Sequence, residues 1–197
     1  YLRTIQAQLT AIFAHAMKYY TLPKNPSSLA GTIGKEVPKE MQFWTKEEYL
    51  KFAEVMMDKP RSYYAFELLY WTGIRSGELL ALTPSDFDFE NQTLRINKTF
   101  HRSKGEDIIT SPKTAKSNRI IMLPPFLCDE IKDYLEMFYE IGENERMFSF
   151  TKSYLGHEMK RGCKESGVKK IRIHDLRHSH VSLSQGYFWD SLSDCLR

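Results

Sequence analysis

The chain has 197 residues, of which 42% are hydrophobic and 27% charged, and its formal net charge is +3. This composition is typical of a globular protein with a sizeable core and excludes a disordered tail. Because the net charge is small, an anionic partner must be bound by a local basic patch and not by the overall field.

Apolar runs and cysteines restrict the class of protein further. No apolar run approaches the roughly 20 residues that span a bilayer, so we expect no membrane partner. Cys128, Cys163 and Cys195 are far apart and form no Cys-x-x-Cys pair. This pattern argues against a disulfide framework or a thiolate zinc site and predicts a cytoplasmic protein. Since the chain opens at Tyr1 and not at Met, we expect a cut inside a longer protein.

The N-terminal part predicts a helix followed by a linker. Apolar residues recur at helical spacing over residues 5–20, which indicates an amphipathic helix. Residues 21–42 contain several prolines and glycines and no sustained period, which is typical of a linker. We therefore expect residues 1–20 to end a preceding domain and residues 43–183 to form the main one.

The main domain predicts helices interrupted by one small sheet. Thr45 and Glu48 form a capping box at the first helix, and Gly73 and Gly167 each follow a helix end. The predicted helices cover residues 45–57, 61–72, 75–83, 124–141 and 151–166, and a last one begins near residue 174. Three β-branched stretches, 93–99, 107–111 and 118–123, predict a three-stranded antiparallel meander. The fold class is therefore α+β, mainly α-helical.

The stretch "TGIRSGELLAL" places an arginine at a helix start. Arg75 would lie beside free backbone N–H groups at the positive end of the helix dipole, which suits an oxyanion. Glu78 falls on the same face one turn later and could hold the guanidinium in position. A surface Arg–Glu pair with no further role is the alternative.

The stretch "SPKTAKSNR" links the second and third predicted strands. Lys113, Lys116 and Arg119 would lie at or beside a hairpin tip, from which basic side chains can reach a phosphate. Solvated turn residues that discourage edge pairing are the alternative.

The stretch "IHDLRHSH" combines three histidines and an arginine. On a helix, His174 and Arg177 share a face and could converge on one small anion, with arginine as a bidentate donor and imidazole as a proton carrier. His178 and His180 have the character of structural histidines. A zinc site is the weaker alternative, because Arg177 would set a positive charge beside the metal and no third ligand has a recognisable context.

A strongly basic segment leads into this stretch. Such a run is expected where a nucleic-acid backbone binds, although a solvated helix face is the alternative. Its cationic residues before Arg177 are Lys160, Arg161, Lys164, Lys169, Lys170 and Arg172.

Taken together and in this order, "TGIRSGELLAL", the lysine of "SPKT" and "HDLRHSH" resemble the catalytic domain of the tyrosine recombinases, the phage and transposon integrases. The stretches "FWTKEEY" and "GVKKIRIHDLRHS" are similar to sequences in integrases of phages and conjugative transposons, and the resemblance spans about residues 1–183. It implies that residues 1–20 are the last helix of a core-binding domain, 21–42 the interdomain linker and 43–183 the catalytic domain.

The resemblance also implies roles for individual residues. Arg75 and Arg177 would grip the non-bridging oxygens of a DNA phosphate, and Glu78 would orient Arg75. Lys113 would protonate the departing 5′ oxygen, and His174 would hydrogen-bond the phosphate and assist proton transfer. The implied partners are double-stranded DNA and other integrase subunits, and no metal or other cofactor is implied.

The atypical tail, residues 184–197, departs from the family pattern. The family's nucleophile is a tyrosine on a later helix, whereas Tyr187 lies only ten residues after Arg177 and is a poor candidate for in-line attack. We expect a frameshift or premature stop near Leu183, inactivity of the chain alone, and self-association through uncovered apolar surface. The alternative function is a non-catalytic DNA-binding module that competes with an intact integrase.

Overall fold

The computed structural model describes residues 1–33, 41–111 and 117–183. The chain divides into two compact units, Tyr1–Glu40 and Met41–Arg197. Helices predominate and the strands form small antiparallel sheets, so the predicted α+β class is confirmed. Within the described ranges, no helix is long and apolar enough to cross a membrane.

The first unit is built on one long helix. Helix α1 covers Leu2–Tyr19, and a single helical turn, α2, covers Pro26–Leu29 inside the stretch with linker-like composition. The Asn25 side chain caps α2 through the backbone N–H groups of Ser27 and Ser28, and its own amide donates to the Thr10 carbonyl at 2.9 Å. These polar contacts tie α2 to α1.

The second unit contains the remaining helices. Helices α5 and α6 are shorter than the sequence predicts, and for α8 the sequence predicts only a start near residue 174. The helices are α3 (Lys46–Met56), α4 (Pro60–Thr72), α5 (Ser76–Leu79), α6 (Pro125–Glu136), α7 (Lys152–Ser166) and α8 (175–183). Helix α5 is shorter than predicted because Ala81 and Leu82 donate to carbonyls three residues back, which tightens its end into turns.

Local capping residues define several helix ends as predicted. Thr45 accepts from the Glu48 backbone at 3.3 Å, and Glu48 accepts from the Thr45 backbone at 2.9 Å, which confirms the capping box of α3. Gly73 and Gly167 end α4 and α7 with left-handed φ of 60° and 73°. Only a residue without a Cβ adopts that conformation without strain.

The strands are distributed over two sheets and not one meander. Strands β1 (Phe87–Asp88), β2 (Thr93–Ile96) and β5 (Arg119–Met122) form a three-stranded antiparallel sheet in the order β1-β2-β5, while β3 (Thr99–Ser103) and β4 (Glu106–Thr110) form a separate hairpin. A three-stranded sheet is thus confirmed, but the assignment of the 107–111 stretch to it is wrong.

Two local features explain this strand pairing. Lys104 and Gly105 both have positive φ, 51° and 89°, as a two-residue type I′ turn requires, so β4 folds back directly onto β3. The predicted 93–99 strand breaks where Lys98 contacts Asp86 at 2.9 Å. These contacts separate the hairpin from the β2–β5 ladder.

Aromatic side chains dominate the core of the second unit. The Tyr49 ring on α3 stacks on Tyr70 of α4 at 3.7 Å, and Phe52 meets Phe66 edge to face at 5.0 Å. Helix α8 joins this core through Ser179, whose hydroxyl accepts the Trp44 backbone N–H at 2.9 Å and donates to the Asp175 carbonyl. The start of α3 therefore holds α8 in place.

Candidate active site

Arg75 is positioned by the turn that joins α4 to α5. Gly73 ends α4, and Arg75 then takes an extended conformation as the N-cap of α5. Its backbone N–H donates to Glu78 Oε2 at 2.9 Å, and its Nη1 donates to Glu78 Oε1 at 2.9 Å. The Arg75 side chain is 51% exposed, so the guanidinium is both held by Glu78 and accessible to a ligand.

Arg119 binds the same carboxylate from the sheet. As the first residue of β5, it directs Nη2 to Glu78 Oε2 at 2.8 Å and Nη1 to Glu78 Oε1 at 3.1 Å. Burial alone would raise the pKa of Glu78, but hydrogen bonds from Arg119 and then Arg75 outweigh it, so the pKa is lowered. Glu78 is therefore a buried and ionised bridge between two guanidiniums.

Arg177 reaches the same region from α8. Its Nη1 donates to the Gly73 carbonyl at 2.7 Å. Burial lowers the pKa of Arg177, and repulsion from Arg75 and Arg119 lowers it further, against a smaller opposing effect of Glu78. The charges of Arg75 and Arg119, at the starts of α5 and β5, thus repel that of Arg177 on α8, and the Glu78 carboxylate partly offsets this repulsion. We call Arg75, Glu78, Arg119 and Arg177 the arginine cluster.

Close packing of α8 on Gly73 brings Arg177 to this position. A Cβ at Gly73 would lie 2.7 Å from Cδ2 of His180, so α8 can approach this closely only because residue 73 is glycine. Burial lowers the pKa of His180, although a hydrogen bond with the Tyr70 backbone opposes the effect. These contacts give His180 a structural role at the helix interface.

The other two histidines lie at the start of α8. His174 is exposed, and its ring meets that of His178 edge to face at 5.7 Å between centroids. The backbone N–H of Arg177 donates to the His174 carbonyl, so the two residues are one turn apart, as their spacing predicts. In the part of the chain that the structure describes, no three His, Cys, Asp or Glu side chains group as a metal site.

Several predicted site residues lie outside the described residues. These are Lys113 and Lys116 of the predicted hairpin tip and Tyr187 of the tail. Their proposed roles therefore rest on the sequence alone.

The basic segment divides into exposed lysines and paired arginines. Lys160, Lys164, Lys169 and Lys170 are exposed, and Lys169 lies 3.2 Å from Glu48. Exposed cationic side chains of this kind suit a polyanion.

Arg161 and Arg172 are instead engaged by carboxylates. Arg161 donates to Asp58, Glu158 and Glu165 at 2.7–3.0 Å, and its side chain is only 22% exposed. Arg172 holds the buried Asp175 through Nη2 at 2.7 Å, and its hydrogen bonds lower the pKa of Asp175. Arg161 is thus held by three carboxylates, whereas the Arg172 side chain is 79% exposed beside Asp175, and the DNA contacts of both arginines stay a prediction.

The sequence did not indicate two features of the arginine cluster. Arg119 was expected at or beside a hairpin tip, within the predicted strand 118–123, and it does begin β5, but its contact with a glutamate 41 residues earlier in the chain was not expected. The Gly73 carbonyl acts as an acceptor for a residue 104 positions away. No local spacing encodes either contact, because both depend on how the sheet and α8 pack against the α4–α5 turn.

Sequence comparison relates the chain to known recombinases. The profile of the Phage integrase family matches residues 42–183. The ICEBs1 integrase of Bacillus subtilis is 30% identical over 91% of this chain and 52% of its own length. The integrase of Staphylococcus phage L54a is 28% identical over 86% of this chain and 54% of its own length. The chain thus spans about half the length of the curated relatives it matches.

Solved structures share the fold. The Tn1549 transposon integrase in complex with transposon right end DNA superposes with a TM-score of 0.73 at 22% identity, over 89% of this chain and 63% of that one. A lambda integrase dimer bound to a COC′ core site superposes with a TM-score of 0.61 at 19% identity, over 92% of this chain and 65% of that one. At these identities the likeness shows the fold alone.

Proposed function

This chain belongs to the Phage integrase family, the tyrosine recombinases, and we propose that its arginine cluster binds a DNA phosphate during site-specific recombination. The substrate would be double-stranded DNA, as in the complexes formed by the Tn1549 and lambda integrases. Other integrase subunits are the proposed protein partners, because the lambda enzyme is bound to its core site as a dimer. The cytoplasm is the proposed location, since the substrate would be cellular DNA.

One observation carries this proposal. Arg75 and Arg119 both bind the Glu78 carboxylate, and Arg177 lies near enough to be repelled by both arginines, so the cluster has two positive charges in excess (three minus one). Mutual repulsion among the arginines is partly offset when a DNA phosphodiester, which carries one negative charge, binds Arg75 and Arg177. Preorganised charge of this kind stabilises a pentacoordinate phosphate better than its ground state.

The proposed roles follow from position. Arg75 and Arg177 would bind the non-bridging oxygens, and Glu78 would hold Arg75 in place. His174, exposed at the start of α8, would hydrogen-bond the phosphate and assist proton transfer. Lys113 would protonate the 5′ oxygen as the bond to phosphorus breaks. We assign the nucleophile to no residue of this chain, because Tyr187 lies only ten residues after Arg177 and is a poor candidate for in-line attack.

Contacts away from the reacting phosphate are proposed for the exposed lysines. Lys160, Lys164, Lys169 and Lys170 would bind backbone phosphates, and Lys116 would reach the DNA from the hairpin region. Self-association is supported by apolar side chains on β5, where Ile120 and Met122 are 68% and 70% exposed.

The test combines DNA binding with detection of a covalent adduct. A duplex selected from a random library by the chain itself would be nicked to trap cleavage, and protein–DNA adduct would be measured after denaturation. Adduct formed by the wild-type chain and lost in Arg177→Ala and Lys113→Ala would support strand transfer by this chain itself, and Arg95→Ala, which removes an exposed arginine on β2, serves as the charge-matched control. Binding without adduct would instead support the DNA-binding module. No binding at low salt would contradict both.

A further inference from the structure

We propose that Arg119 is a positioning residue, which fixes Arg75 through Glu78 and does not itself contact DNA. The catalytic meaning of this inference rests on the proposed function, but the positioning itself is independent of it. It replaces the expectation that Arg119 reaches a phosphate from a hairpin tip.

The hydrogen bonds around Glu78 form a two-sided clamp. Each carboxylate oxygen accepts from both arginines: Oε2 from the Arg75 backbone at 2.9 Å and Arg119 Nη2 at 2.8 Å, and Oε1 from Arg75 Nη1 at 2.9 Å and Arg119 Nη1 at 3.1 Å. Glu78 is 4% exposed, so these donors replace its hydration. If Arg119 is removed, the carboxylate loses half of its donors and is free to tilt.

The two arginines differ in how firmly each is anchored. The Arg119 side chain is 26% exposed, compared with 51% for Arg75, and its backbone is paired with Ile96 in the β2–β5 ladder. Arg119 Nη1 also donates to the Ser117 carbonyl at 3.2 Å. The sheet therefore supplies the rigid end of the clamp, and Arg75 is its accessible end.

Direct phosphate binding by Arg119 would disrupt this arrangement. Three of the five N–H groups of Arg119 already donate, two to Glu78 and one to the Ser117 carbonyl, and a phosphate that displaced Glu78 from them would leave a buried carboxylate with fewer donors. The same geometry shows why lysine would be an incomplete substitute, because a single ammonium group cannot reproduce the planar two-point contact.

The direct test measures rotation of the Arg75 guanidinium about its Nε–Cζ bond, by ¹⁵N exchange NMR on the full chain without DNA. We expect several-fold faster rotation in Arg119→Gln, an intermediate rate in Arg119→Lys, and the wild-type rate in Arg95→Gln. If Arg119→Gln does not fold, the rate in Arg119→Lys decides. Unchanged rotation in the folded Arg119 variants would overturn the proposal.

A second measurement separates positioning from DNA contact. The slope of log affinity against log salt for duplex DNA falls by about one when a phosphate contact is lost. We expect Arg119→Gln to keep the wild-type slope, and a decrease of about one would overturn the proposal. If the wild-type chain bound no DNA, the proposed function would fail, while the rotation measurement would still decide the role of Arg119.

Discussion

Glu67 gives the sharpest prediction about stability, because it is a buried carboxyl without a bound cation among its described hydrogen-bond partners. It lies on α4, is 4% exposed, and accepts from the Tyr49 hydroxyl and the Trp71 indole N–H, each at 2.7 Å. Burial raises the pKa of Glu67 from its ordinary 4.5 to about 7; the hydrogen bond from Tyr49 opposes this effect, while the charge of Glu130 adds to it and the hydrogen bond from Trp71 has the smallest, lowering effect.

The raised pKa fixes the sign of the pH dependence. The native chain binds the Glu67 proton more tightly than the unfolded chain does, so the stabilisation is fully present below pH 4.5 and is lost as pH rises through 7. The difference between 4.5 and about 7, at about 1.4 kcal/mol per pH unit, amounts to about 3 kcal/mol. Because the residue is almost fully buried, little of this is screened by solvent.

The substitution Glu67→Gln should remove this dependence. A glutamine can accept the Trp71 N–H with its oxygen and donate to the Tyr49 hydroxyl with its nitrogen, as the protonated acid does. We expect the variant to match the wild type near pH 4 and to exceed it by about 3 kcal/mol near pH 8.

The assay is urea unfolding across this pH range, with Glu54→Gln, an exposed glutamate on α3, as the control. Taking the difference between variant and wild type cancels the groups common to both, including Glu130, whose pKa is also raised by burial. A difference that does not change with pH would refute the reasoning, since it would mean that Glu67 titrates alike in both states.

Two further predictions concern packing in the second unit. Gly162→Ala should lower the free energy of unfolding by about 1–3 kcal/mol, because the new Cβ would overlap the buried Phe52 ring. Gly156→Ala on the same helix has open space around the new Cβ and should raise the free energy of unfolding slightly. Equal effects of the two substitutions in urea unfolding would contradict the packing argument. Ser179→Ala should cost about 1–3 kcal/mol, since the buried backbone N–H of Trp44 loses its acceptor. A loss no larger than that of an exposed serine variant such as Ser153→Ala would show that this contact does not anchor α8.

Local chemistry made much of the fold predictable. The capping box at Thr45, the left-handed glycines Gly73 and Gly167, and the spacing of Arg75 and Glu78 each depend on residues within one helical turn. Such signals are readable in sequence because the interacting groups are held together by the helix itself.

The parts that sequence did not predict depend on contacts between distant segments. The 107–111 stretch has the composition of a sheet strand, but the Lys104–Gly105 turn pairs it with its neighbour instead. The cationic residues before His174 are indistinguishable in sequence, yet Arg161 donates a hydrogen bond to an aspartate 103 residues earlier. Net local charge therefore does not show which cationic side chains are paired with carboxylates from distant parts of the chain.

The central claim is that Arg75 and Arg177 bind one particular DNA phosphate. The most direct test replaces each backbone phosphate of a selected duplex, one at a time, by an uncharged methylphosphonate, and measures the affinity of the wild-type chain and of Arg177→Ala. We predict one position at which the wild type loses affinity by roughly tenfold or more and Arg177→Ala loses little, because the lost contact is the same in both cases. If every substitution weakened both proteins equally, Arg177 would not contact a backbone phosphate and the claim would be wrong.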